Sequence, residues 1–144
     1  MGVARPLSPH LTRLVIDLHD GQPEFESSAI ADEWVGVVVP GQFQIRYYTV
    51  RAYADGELVL DVVLHDEGLV TEWVAGGCEG SPVTVTEPKG SFDPAVDAEW
   101  LMLVGDLTAL PAMARIAEAS DLPTRIWAEV PDVELHVGYL PERA

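Results

Sequence analysis

A chain of 144 residues with 48% hydrophobic content, 12 Gly and 11 Pro has the make-up of one globular domain, or one and a half, rather than of a disordered segment. A formal charge of −16, from 24 acidic and eight basic residues, repels phosphate backbones and anionic headgroups and so argues against nucleic-acid and membrane partners. The single Cys78 leaves neither an intrachain disulfide nor a thiolate cluster for a metal, and the stretch from Met1 to Pro9 lacks the apolar run of a secretion signal, so a cytoplasmic location is expected.

From His10 to about Thr86 the chain is a series of short β-branched runs with breaks between them: HLTRLVIDLHD, EWVGVVVP, FQIRYYTVRAY, ELVLDVVLH and PVTVTEP. The Asp55-Gly56 pair predicts a hairpin turn joining two of them. Five or six strands at this spacing imply a closed or nearly closed antiparallel barrel. Within the third run, RYYTVR places Arg46, Tyr48 and Val50 on one face of a strand and Tyr47, Thr49 and Arg51 on the other. A flat aromatic ring can stack on Tyr48 while Arg46 pairs with a phosphate, the arrangement a flavin nucleotide needs. In so acidic a chain, the placement of Arg46, Arg51 and Lys89 at turn and motif positions points to anion capture, although pairing with neighbouring carboxylates accounts for Arg46 and Arg51 equally well.

From about Ala95 the texture changes. Trp100 to Val104 is a continuous apolar run, as in a parallel strand covered on both faces. Thr108 is the expected cap of a following helix, Pro111 suits its first turn, and Leu110, Met113, Ala114 and Ala117 fall on one face. Asp121-Leu122-Pro123 ends the helix, and Thr124 to Val130 gives a second strand, which completes a βαβ unit. Val133 to Leu140 reads as one further strand. So small a sheet leaves an edge and an apolar face open, which implies a homodimer or a missing C-terminal half.

The succession RYYTVR, VVLHDEGLVTEW, EPKGS and VGDLTALPAMARIAE resembles that of the siderophore-interacting proteins, flavin-containing ferric-siderophore reductases, over roughly Pro9 to Val130. The resemblance implies a fold that is mainly β with α/β: a six-stranded antiparallel Greek-key FAD-binding barrel in residues 1–95, followed by a partial nicotinamide-nucleotide-binding βαβ segment in residues 96–144, apparently truncated at its C-terminus. It also implies FAD as cofactor, NAD(P)H as electron donor and a ferric siderophore as acceptor. By resemblance Arg46 contacts the flavin phosphates, Tyr48 stacks near the isoalloxazine and Thr49 bonds its reactive edge, with Val50 and Arg51 completing the strand. His65, Gly68, Thr71 and Trp73 fall on the pyrophosphate cradle, and Gly105, Asp106, Thr108 and Ala109 on the dinucleotide turn. Glu129 stands where a ribose hydroxyl is held, which favours NADH over NADPH. Leu69, Glu87, Lys89 and Leu107 depart from the family's usual residues.

No metal site is expected, since no histidine spacing of the His-Glu-x-x-His kind occurs, and neither Ser81 nor Ser91 sits in a nucleophile elbow. A flavin needs no side chain acting as acid, base or nucleophile. The negative charge predicts a neutral or cationic siderophore rather than an anionic one. The alternative reading is a non-catalytic, flavin-binding or flavin-free dimeric module derived from the same family.

Overall fold

The computed structural model describes residues 3–18, 25–41, 43–64, 68–80 and 82–141. Among the described residues, seven antiparallel strands in two sheets occupy the first two thirds of the chain. One sheet holds β1 (Val3–Ser8), β2 (Leu11–Asp17), β6 (Glu57–Val63) and β5 (Ala52–Ala54) in the order β1-β2-β6-β5. The other holds β4 (Arg46–Thr49), β3 (Trp34–Val38) and β7 (Thr84–Val85) in the order β4-β3-β7. The chain passes from one sheet to the other between β2 and β3, between β4 and β5 and again between β6 and β7, so the two sheets enclose one core. Alternate residues supply it: Leu14 and Ile16 from β2, Val35 and Val37 from β3, and Leu58, Leu60 and Val62 from β6 are all buried. Removing one such leucine costs about 2–5 kcal/mol in a typical core.

The strand count exceeds the expected six for two local reasons. β1 carries no apolar alternation, yet it pairs along β2 as an edge strand, where Pro6 is tolerated because one row of its peptide groups faces outward. The run FQIRYYTVRAY does not stay in one strand: β4 ends at Thr49 and β5 begins at Ala52 in the opposite sheet. Between them Val50 drops into the core with 0% exposure. Asp55 and Gly56 both take positive φ, 52° and 78°, which makes the β5–β6 turn the predicted tight hairpin.

After β6 comes a short helix, α1 (Leu69–Ala75). The stretch beyond β7 is tied to the barrel by Asp32, whose carboxylate accepts from Ser91 N and Phe92 N, both at 2.8 Å, and from Ser91 Oγ at 2.9 Å. The βαβ unit then follows in the predicted order: β8 (Leu101–Asp106), a 3-10 turn (Leu107–Ala109), α2 (Leu110–Ala119) and β9 (Thr124–Glu129), with β8 and β9 parallel, but β8 is covered on one face only, since Met102 and Val104 are more than half exposed. Asp106 rather than Thr108 caps the turn, its Oδ1 accepting from Thr108 N at 3.0 Å. Pro111 sits in the first turn of α2, where a missing N–H costs nothing.

Val133 to Leu140 is not a strand. Asp132 adopts the left-handed conformation, φ 51° and ψ 71°, and turns the chain away from β9 into α3 (Val133–His136) and a 3-10 turn, Val137–Tyr139. The alternation in VELHVGYL imitates a strand, but only His136 in it is fully buried. Its Nδ1 lies 2.9 Å from Pro131 O, which makes Nδ1 the protonated nitrogen, so Nε2 accepts from Ser8 Oγ at 2.8 Å.

Candidate functional site

Two ion pairs set α2 against the barrel. The Arg115 guanidinium donates to Glu33 Oε1 at 3.0 Å and to Val50 O at 2.9 Å. The Glu33 side chain is fully buried just ahead of β3. Burial opposes its ionisation, but hydrogen bonds from Ser28 and Ser27 and the Arg115 pair outweigh it and hold its carboxyl below the ordinary range. One residue past Val50, Arg51 donates to both Glu118 oxygens, at 2.5 and 3.2 Å. An apolar patch completes the seam, with Leu107, Leu110 and Met113 packed against Val63 of β6 and Tyr139.

Beside this seam lies a groove of about 490 Å³. One wall is β4, through Arg46, Tyr47, Tyr48 and Thr49, with Trp34 of β3 beside it. The outer face of β6 contributes Asp61 and Val63. Gly68, Val70 and Thr71 come from the start of α1, and Thr108 and Pro111 from the entry to α2. The groove therefore joins the RYYT strand to the turn after β8.

The register of β3 and β4 determines which backbone groups face that groove. Trp34 exchanges both peptide hydrogen bonds with Lys89, at 2.7 and 3.0 Å, and Gly36 O accepts from Thr86 N at 2.9 Å, so both residues turn away from β4. Their partners across the pair, Thr49 and Tyr47, are thus the non-hydrogen-bonded positions and direct N–H and C=O to the free edge of the sheet. Side chains add to that row. Tyr48 packs on the barrel core, and burial raises its phenol pKa against the opposing charge of Arg46. Arg46 is exposed and donates to Gln44 Oε1 at 2.9 Å; among the described residues no carboxylate pairs with it. Arg13, Arg51 and Arg115 are by contrast all ion-paired.

Of the residues singled out by sequence, the groove gathers Arg46, Tyr48, Thr49, Gly68, Thr71 and Thr108. Gly68 has φ 145°, a region that side-chain-bearing residues rarely adopt. Val50 and Arg51 lie elsewhere, one in the core and the other in the α2 seam, because the chain changes sheets between them. Trp73 packs against the barrel core, with Nε1 unpartnered among the described residues. Gly105 and Ala109 do not line the groove and pack together, so that a Cβ at Gly105 would meet the Ala109 Cβ at 2.5 Å. Asp106 caps its turn and stands opposite Glu129 at the C-terminal ends of the two parallel strands. His65 lies outside the described residues.

Sequence reasoning missed Trp34, Tyr47, Asp61, Val63 and Val70 as lining residues. Asp61 had a signal: it is the lone carboxylate in the apolar run LVLDVV, facing the lone arginine of LTRLVID.

Residues 41–92, which span β4 to β7, match the family model described as the siderophore-interacting FAD-binding domain. The chain is 30% identical over 162 residues to an uncharacterized protein of Mycobacterium tuberculosis, covering 91% of this chain and 57% of that protein. It is 37% identical over 95 residues to the ferric vibriobactin reductase ViuB of Vibrio cholerae, covering 62% of this chain and 35% of that one. Among solved structures it superposes on the siderophore-interacting protein of Acinetobacter baumannii with a TM-score of 0.80 at 22% identity, over 98% of this chain and 60% of that one. The chain thus spans little more than half the length of the first of these relatives.

Proposed function

We propose, for a chain that belongs to the siderophore-interacting protein family, that the groove between β4 and the entry to α2 binds FAD and that the protein is a flavin-dependent oxidoreductase. The observation that carries the reading is the convergence of Arg46, Tyr48 and Thr49 with Gly68, Thr71 and Thr108 on one groove although they lie as far as 62 positions apart in sequence. The residues present fit the group. Arg46, with no carboxylate competing for it among the described residues, supplies a planar fork for a phosphate. The edge peptides of Tyr47 and Thr49 offer donors and acceptors in a row, which suits the polar rim of an isoalloxazine. Tyr48 offers a ring face held in place by the core. Thr71, Gly68 and Thr108 line the remaining length of the groove, where the rest of the dinucleotide would lie.

Bound there, FAD would supply the exchange between a two-electron donor and the single electrons that Fe(III) accepts. The side chains named bind and orient, and none is required to move a proton. NAD(P)H is the proposed donor, approaching from the C-terminal ends of β8 and β9. There Glu129 would favour an unphosphorylated ribose. The proposed substrate is ferric iron in a siderophore, and the −16 charge favours neutral or cationic chelates, with faster turnover of cationic than of anionic complexes at low salt. A cytoplasmic location and a homodimer complete the reading, and so does a division into a flavin-binding barrel to residue 95 and a nicotinamide-nucleotide segment from residue 96. No helix among the described residues is long and apolar enough to cross a membrane.

A second reading is supported by the outer face of the β8–β9 sheet, where Trp100, Met102, Val104 and Trp127 are each more than half exposed. Such a face suits a non-catalytic module that works through a partner or a second copy. One experiment separates the two. Protein reconstituted with FAD is mixed anaerobically with NADH: bleaching of the yellow colour supports the oxidoreductase, whereas a stable yellow complex that NADH and NADPH leave unchanged contradicts it.

A further inference from the structure

We infer that Asp61, gripped by Arg13 and Tyr139 at the floor of the groove, is a positioning residue that sets the charge beneath the bound flavin. The inference rests on the flavin reading of the groove and names a residue group outside the RYYT strand. Arg13 and Asp61 are direct partners in the β2–β6 ladder. Their neighbours Leu14 and Leu60 point into the barrel, so this pair projects from the outer surface. There the guanidinium grips the carboxylate with two parallel bonds, Nε to Oδ1 and Nη2 to Oδ2, both at 2.8 Å. The Tyr139 hydroxyl donates to the same Oδ2. The Asp61 side chain is 0% exposed, whereas Arg13 retains 28%.

The three residues do not open onto the same space. Asp61 lines the groove, while Arg13 and Tyr139 line a separate cavity of about 300 Å³ on the far side, together with Arg51 and His136. The Asp61 carboxylate is therefore buried just beneath the groove lining, and its cation borders the other cavity. Water reaches it poorly, so its field is weakly screened on the groove side. Two-electron reduction of an isoalloxazine with uptake of one proton turns a neutral ring into a monoanion. A negative charge under the ring opposes that change, and a positive one assists it.

The signs of the substitutions follow. Asp61→Asn removes the negative charge and leaves Arg13 uncompensated, so the reduced form gains. Arg13→Met leaves the carboxylate uncompensated, so the oxidised form gains. Tyr139→Phe removes one donor from Asp61 and moves the balance in the same direction as Arg13→Met, by less. A purely structural role has no such signature, since loss of packing weakens folding and FAD retention in all three without separating them by sign.

The test is an anaerobic dithionite titration of the FAD-loaded full chain beside a reference dye. Asp61→Asn should raise the midpoint potential and Arg13→Met lower it, each by about threefold or more in the ratio of reduced to oxidised flavin, the scale of a partly screened charge. Tyr139→Phe keeps both the ion pair and the ring, so it serves if the charge variants fail to fold; it should lie below wild type. Unchanged potentials, or shifts of one sign in all variants, with FAD bound by the wild type, overturn this inference alone. A wild-type chain that takes up no FAD overturns it together with the reading of the groove.

Discussion

Arg51 meets Glu118 across the seam between barrel and βαβ unit, with both terminal guanidinium nitrogens on the carboxylate and the Arg51 Cζ 5.4 Å from the centre of the Tyr139 ring. Five residues earlier on the same run, Arg46 faces the groove. The change of sheet at Val50 separates two arginines of one motif into two tasks, one of them structural. The seam that Arg51 helps to form fixes Thr108 and Pro111 opposite β4, and the groove exists only while it holds.

The seam's most costly contact is Arg115 with Glu33. Arg115→Met leaves a fully buried carboxylate without its cation, so a loss of about 3–5 kcal/mol is expected from urea unfolding. Arg51→Met should cost far less, about 1 kcal/mol or under, because Glu118 is 46% exposed and can turn to water. Equal losses in the two variants would contradict this ranking.

The same carboxylate gives the stability a pH dependence. Because Glu33 is held below its ordinary value of 4.5 when folded, its contribution is complete above that value and is lost as pH falls through its folded value. Asp32, lowered from 3.8 by its Phe92 and Ser91 bonds despite opposing desolvation, acts with the same sign. Melting temperatures should fall steeply below pH 4.5, and Glu33→Gln, though less stable near neutrality, should show a shallower acid limb. An acid limb that keeps the wild-type slope in this variant would assign the pH dependence to other groups.

Gly105 is expected to tolerate no side chain. Its added Cβ meets the Ala109 Cβ at 2.5 Å and the Met113 Cε at 3.5 Å, so Gly105→Ala must shift the turn into α2. A loss of about 1–3 kcal/mol is expected by thermal unfolding. The double substitution Gly105→Ala with Ala109→Gly removes the closest clash and should recover part of that loss, unless the strain lies elsewhere.

Much of this architecture was legible in the chain. Short β-branched runs with breaks between them marked β2, β3 and β6, Asp55-Gly56 fixed a hairpin, and the βαβ unit followed from one apolar run, one Pro in a first turn and one Asp-Leu-Pro stop. The failures have a common cause: each depended on a contact distant in sequence. β1 has no pattern of its own and is a strand only because β2 offers it an edge. RYYTVRAY looks continuous because nothing local reveals that Val50 is drawn into the core. VELHVGYL alternates like a strand, but a left-handed Asp132 and a buried His136 bend it back to the barrel. Of the motif-bearing residues, the groove gathers Arg46, Tyr48, Thr49, Gly68, Thr71 and Thr108 but not Val50, Arg51, Trp73, Gly105, Asp106 or Ala109, while Asp61 and Val63 arrive on a neighbouring strand with no motif to mark them.

The most direct measurement of the central claim is FAD affinity, followed by quenching of flavin fluorescence, in the wild type, Arg46→Ala and Arg51→Ala at matched ionic strength. The account predicts that the wild type binds, that Arg46→Ala binds about tenfold or more weakly through loss of a charge-assisted phosphate contact, and that Arg51→Ala stays within about threefold of the wild type. The groove between β4 and α2 would be the wrong site if Arg51→Ala lost affinity while Arg46→Ala kept it, or if the wild type bound no FAD.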